Sequence, residues 1–149
     1  MNKTALTLAS IVAAFGISAG TATATSAKSA EICIGKKIYA HQNGETLNGT
    51  CGADTFIVGQ YKTVFVYGND GDDTVKVGWG GGKVEVHGGN GNDKVYNGGD
   101  KQVVIYGDGG NDLMEGGPFA DQFFGGTGTD SACVGAGDTQ NSVESTFLC

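Results

Sequence analysis

Five aspartates recur along this chain at a nearly constant interval. Asp54, Asp73, Asp93, Asp112 and Asp130 are separated by 19, 20, 19 and 18 residues, and each closes a short glycine-rich run. The runs read Gly49-Thr-Cys-Gly-Ala-Asp54, Gly68-Asn-Asp-Gly-Asp-Asp73, Gly88-Gly-Asn-Gly-Asn-Asp93, Gly107-Asp-Gly-Gly-Asn-Asp112 and Gly125-Gly-Thr-Gly-Thr-Asp130. A carboxylate is a hard oxygen donor, and glycine leaves neighbouring main-chain carbonyls unshielded. Together they suit a hard cation that takes six to eight oxygen ligands. Aspartate also closes turns for purely local reasons. Against that plainer reading, carboxylates stacked at a strand spacing of roughly 4.8 Å repel one another unless a counter-charge lies between them.

The elements that position these aspartates are legible in the intervening residues. An interval of about 19 is twice nine, and each holds a second, degenerate turn: Gly59-Gln-Tyr-Lys62, Trp79-Gly-Gly-Gly82, Gly98-Gly-Asp-Lys101 and Gly116-Gly-Pro-Phe-Ala-Asp121. After each turn comes a short stretch of alternating residues, such as Val75-Lys-Val77 and Val84-Glu-Val86. Lys76 and Glu85 must face water, so the flanking valines face inward. Extending that register predicts an interior row of Phe56, Val64, Val75, Val84, Val95, Val103, Met114, Phe123 and Ala132. Strands this short bury a face only by stacking. A turn that reverses within six residues needs φ > 0 at several positions, which glycine supplies. The expected fold is all-β: a right-handed parallel β-roll, or solenoid, of about nine short strands.

The turns follow the nonapeptide Gly-Gly-x-Gly-x-Asp-x-U-x, with U a large apolar residue. The chain thereby resembles the repeats-in-toxin, or haemolysin-type, calcium-binding repeat family from about residue 49 to 134, most closely at Gly88-Gly-Asn-Gly-Asn-Asp-Lys-Val-Tyr96. The resemblance implies Ca2+ held between stacked turns. The carboxylates would be those of Asp54, Asp73, Asp93, Asp112 and Asp130. Further oxygens would come from Gly68, Asp70, Gly88, Asn90, Gly107, Gly109, Gly126 and Gly128. Because the aspartates recur once per full coil, they share one edge. The opposite edge carries Lys62, Gly82, Lys101 and Asp121 in the corresponding place, and an ammonium repels Ca2+. The expectation is therefore up to four ions on one edge only, best between Asp73, Asp93 and Asp112. Family members commonly load both edges.

Cys33, Cys51, Cys133 and Cys149 make an even count, which in an exported chain points to two disulfides. Cys51 and Cys133 sit four coils apart, roughly 19 Å at strand spacing. That is beyond the ~7 Å reach of a bridge. The expected pairs, Cys33–Cys51 and Cys133–Cys149, each tie down a cap. Lys3, the apolar run from Ala5 to Ala19 and Ala22-Thr-Ala24 fit a cleavable signal peptide. The expected organisation is a signal peptide over 1–24, an N-terminal cap segment over 25–48, the calcium-binding roll over 49–134 and a C-terminal cap segment over 135–149. The expected location is outside the cell, with the periplasm or cell surface as alternatives, and no membrane span.

A net charge of −7 with no arginine argues against nucleic acid as a partner. His41 and His87 are far apart, and no zinc-protease, nucleophile-elbow or phosphate-loop motif occurs. The expectation is not an enzyme. His87 reads as a turn residue. The favoured function is a secreted binding module whose folding is stabilised by Ca2+. The alternative is an adhesin-like or surface-recognition module with an extracellular surface or glycan partner, to which Trp79, Phe65, Tyr96 and Phe124 would contribute. Ice binding is less favoured, because the fifth turn position reads Ala53, Asp72, Asn92, Asn111, Thr129, an irregular rank.

Overall fold

The structure, a computed structural model, describes residues 33–61 and 63–149; the expected signal peptide and Lys62 lie outside the described residues. Every regular element described is a β-strand: β1 Lys37–Tyr39, β2 Glu45–Asn48, β3 Thr55–Val58, β4 Thr63–Asp70, β5 Thr74–Val77, β6 Lys83–Asn90, β7 Lys94–Asn97, β8 Gln102–Gly109, β9 Leu113–Glu115, β10 Gln122–Thr127, β11 Ser131–Val134, β12 Thr139–Asn141 and β13 Ser145–Leu148. Odd-numbered strands form one sheet in the order β1-β3-β5-β7-β9-β11-β13. Even-numbered strands form the other, β12-β10-β8-β6-β4-β2. All pairings are parallel. The chain thus alternates between two sheets and advances one strand in each per coil. It is a parallel β-solenoid.

The strand total exceeds the expected nine. The surplus is β1, β2, β12 and β13, which extend both sheets into the segments expected to be caps. No glycine-rich turn announces those outer coils, so periodicity alone misses them. The even strands also run longer than expected: β4, β6 and β8 span 8 residues each because their pairing continues into the glycine-rich turns.

Alternation sets the core. Phe56, Val75, Val95, Met114 and Ala132 are in register in one sheet. Val64, Val84 and Val103 are in register in the other. All of these, with Phe123, are at most 2% exposed. Phe123 pairs with Ile105 rather than Val103, because the turn at 116–121 is longer than its predecessors. The disulfides are Cys33–Cys51 and Cys133–Cys149, with Cα–Cα distances of 4.9 and 5.1 Å. One lies at each end of the solenoid, as the coil arithmetic requires. Among the described residues no helix is long and apolar enough to cross a membrane.

Candidate metal centre

Each aspartate of the series directly precedes an odd-numbered strand, so sheet register brings all of them into one column. Asp54, Asp73, Asp93, Asp112 and Asp130 are each at most 3% exposed. Neighbours are tied by one repeated bond. The amide of Asp54 donates to Oδ1 of Asp73 at 2.6 Å, that of Asp73 to Asp93 at 2.7 Å, that of Asp93 to Asp112 at 2.8 Å and that of Asp112 to Asp130 at 2.8 Å. The column closes on Glu144, whose Oε2 accepts the amide of Asp130 at 2.7 Å. Glu144 lies 14 residues beyond Asp130 with no glycine-rich run before it, so the turn pattern did not reveal it.

The second carboxylate oxygen behaves differently. Oδ2 of Asp73, Asp93, Asp112 and Asp130 is buried and accepts no hydrogen bond. A buried oxygen of this kind costs roughly 1–3 kcal/mol if left so, and more when charged. Each faces the first glycine of its own turn. A Cβ on Gly68, Gly88, Gly107 or Gly125 would lie 2.2, 2.2, 2.3 or 2.5 Å from Oδ2 of Asp73, Asp93, Asp112 or Asp130 respectively. The same Cβ atoms would meet the carbonyl oxygens of Gly88, Gly107, Gly125 and Ser142 of the next coil, at 2.1, 2.7, 2.5 and 1.8 Å. The strand register passes over these glycines, pairing Tyr67 with His87 and Asn69 with Gly89 on either side of Gly68 and Gly88. Four cradles result, each combining an unpartnered carboxylate oxygen with a carbonyl from the coil above. Among the described residues no three His, Cys, Asp or Glu side chains converge on one point. Each cradle offers one carboxylate oxygen and one main-chain oxygen, a hard all-oxygen donor set that suits Ca2+ rather than softer metals.

Burial pushes the carboxyls of Asp73 and Asp112 up to about 6 and that of Asp93 up to about 7, against the partial relief of the amide each accepts. Neighbouring carboxylates in the column raise them further. A column that resists ionisation without a counter-ion is what a cation would neutralise.

The two ends differ. Oδ2 of Asp54 accepts the amide of Thr50 at 2.6 Å and its hydroxyl at 3.0 Å, so the N-terminal aspartate is already satisfied. In the last turn Gly125 faces the column, while Gly126 and Gly128 hold left-handed conformations at φ 101° and 138°. The third turn positions also stand apart from the column. Oδ1 of Asp70 accepts Nδ2 of Asn90 at 2.8 Å on the exposed face, and the carbonyls of Asn90 and Gly109 accept the amides of Gly71 and Gly91.

The opposite edge has another chemistry. Asp121 stands level with Val103 rather than Lys101, since Gln122 pairs with Val104. Its carboxylate is fully used: Oδ1 accepts the amide of Val103 at 2.8 Å and Oδ2 that of Gly117 at 2.7 Å. Asp138, which the sequence reading did not single out, repeats the arrangement by accepting the amides of Asp121 and Gly135 at 2.8 and 2.6 Å. Burial raises the carboxyl of Asp121, and the amides of Val103 and Gly117 oppose the rise. These aspartates cap turns.

Of the aromatic residues considered as a surface, Trp79 is exposed in the turn between β5 and β6. Phe65 and Phe124 occupy different rows of one sheet, and Tyr96 lies on the other. His87 is inside β6 rather than a turn. It stacks between Tyr67 and Tyr106 at ring-centroid distances of 5.0 and 4.5 Å, and Tyr106 stacks on Phe124 at 4.8 Å. Parallel register places one ring per coil, which a scan for single motifs overlooks.

Parallel coils with a buried acidic column define a β-solenoid of stacked turns. The family model for the RTX calcium-binding nonapeptide repeat (4 copies) matches residues 52–84, 87–123 and 106–140, together more than half of the 149 residues. The chain belongs to that family and carries its calcium-binding repeats. Comparison with curated proteins and with solved structures gave no match.

Proposed function

We propose that this protein is a secreted calcium-binding β-roll whose folded state is held by Ca2+ stacked along the aspartate edge, with up to four ions. The observation that carries this reading is the set of four buried, unpartnered Oδ2 atoms, on Asp73, Asp93, Asp112 and Asp130, repeating in register. Each is matched with a carbonyl of the following coil, and none is supplied with a protein donor. Ca2+ would supply the counter-charge there and bridge adjacent coils. The Asp73, Asp93 and Asp112 cradles are flanked on both sides by equivalent turns, which favours them. The carboxylate of Asp54, already satisfied by Thr50, leaves its gap outside these four. Two disulfides support an oxidising destination.

Extracellular Ca2+ sites typically bind in the ~0.1–1 mM range, so the calcium of an external medium would load them. Ligand at 100 times its dissociation constant adds about 2.7 kcal/mol per site when the unfolded chain binds none. Calorimetry with Ca2+ and with chelator tests the reading. The expected result is a Tm higher by more than ~10 °C in Ca2+; equal melting points would refute it.

A further inference from the structure

On the edge opposite the aspartate column, the chain carries a cation of its own. Lys101 is 0% exposed. Its Nζ donates to the main-chain oxygens of Gly59 at 2.6 Å, of Trp79 at 2.8 Å, and of Gly78. Gly59 follows β3 and Gly78 follows β5, whereas Lys101 follows β7, so one ammonium joins three successive coils. An ammonium has three N–H donors and no acceptor. Three carbonyls saturate it, which is the condition for burying such a charge.

The turn that presents Lys101 is itself held. Nδ2 of Asn97 donates to the Lys101 carbonyl at 2.8 Å, and its Oδ1 accepts the amide of Gly99 at 3.3 Å. Oδ1 of Asp100 accepts the amides of Gly80 and Gly81 at 2.6 and 2.9 Å, locking this turn onto the one before it. A positive group surrounded by carbonyls of stacked turns uses the same class of donor that the other edge offers to a metal. Here the cation is tethered by four methylenes.

We infer that the Lys101 ammonium fills a cation position on the second edge and holds the coils between residues 59 and 101 in register without metal. The solenoid is then asymmetric by construction. One edge is loaded as soon as the chain folds, and the other depends on an external ion. This inference does not require the aspartate edge to bind Ca2+. The seam around Lys101 persists in chelator whether or not the aspartate edge binds metal.

Two measurements test it. In the first, the unaltered protein in chelator is treated with an amine-acetylating reagent, with Lys76, Lys83 and Lys94 as exposed internal references. Lys101 is expected to react at least ~100-fold more slowly than these, as a group requiring local opening does. Reaction within ~3-fold of the references would overturn the inference. The second compares amide exchange in chelator between the unaltered protein and Lys101→Met, which keeps the apolar stem and removes the donors. The amides of Gly78 and Gly98, bonded to the carbonyls of Val58 and Val77 at 2.8 and 3.0 Å, should lose protection by ~100-fold in the variant. Unchanged protection there would also overturn it. Should Lys101→Met fail to fold even in Ca2+, the labelling of the unaltered protein decides. The amides of Asp54 and Asp73 report the other edge. If their exchange ignores Ca2+, the proposed function fails while the Lys101 inference stands.

Discussion

The main-chain amide of Asp73 donates to Oδ1 of Asp93 at 2.7 Å, while Oδ2 of the same Asp93 side chain is buried with no partner. One oxygen fixes the distance between coils and the other faces the first glycine of its turn. The carboxylate therefore cannot be relieved by a side-chain shift without breaking the bond that sets the register.

Asp93→Asn should act with opposite sign in the two states. The amide oxygen still accepts from Asp73, but one buried charge disappears. In chelator at pH 8 the variant should be the more stable by about 1 kcal/mol, since the carboxyl of Asp93 is pushed up to about 7 by burial. In Ca2+ it should be the less stable, with weaker binding. Melting curves of both proteins in both buffers check the crossing.

Gly88→Ala tests the cradle itself. The added Cβ would lie 2.2 Å from Oδ2 of Asp93 and 2.7 Å from the Gly107 carbonyl. Overpacking of this kind costs about 1–3 kcal/mol. In Ca2+ the loss should be larger than in chelator, because a coordinating position is displaced as well. Calcium titration calorimetry should show one site fewer or one greatly weakened.

Acidity should stabilise the metal-free protein. The carboxyls of Asp73 and Asp112, at about 6, and Asp93, at about 7, lie above the unfolded aspartate value. Between pH ~4 and ~7 the folded chain therefore binds protons that the unfolded chain has released, and stability falls as pH rises through that window. In chelator the Tm should drop by at least ~5 °C from pH 4.5 to pH 7.5 and change little above that. Ca2+ competes with the same protons, so its affinity should rise across the upper part of this window. Thermal scans in chelator and calcium titrations at matched pH values measure both trends.

Reduction of the disulfides should loosen the ends rather than the middle. Their sequence separations of 18 and 16 residues correspond to about 3 kcal/mol each by chain entropy. Hydrogen exchange after reduction should show lost protection in β1 and β13 before β5 or β7. Uniform loss along the solenoid would contradict this.

The solenoid and its acidic edge were legible because both follow from strict local periodicity. The valines beside Lys76 and Glu85 have one allowed face, and an aspartate once per coil has one allowed edge. What escaped detection depends on relations between coils. Glu144 terminates the column without a glycine-rich run, and β1, β2, β12 and β13 continue the sheets without one. The turn before Asp121 is longer than its predecessors, which moves that carboxylate level with Val103 instead of Lys101. The sequence showed Lys101 as a cation that would repel metal; its acceptors at Gly59, Gly78 and Trp79 come from two earlier coils, and only the fold brings them there. His87 looked isolated for the same reason, since Tyr67 and Tyr106 reach it through sheet register.

The most direct test is anomalous diffraction from crystals grown in Ca2+, with peaks located along both edges. The account predicts a line of peaks beside Oδ2 of Asp73, Asp93, Asp112 and Asp130, and none at the Lys101 ammonium. No peaks along the aspartate column, with calcium bound elsewhere or not at all, would contradict it.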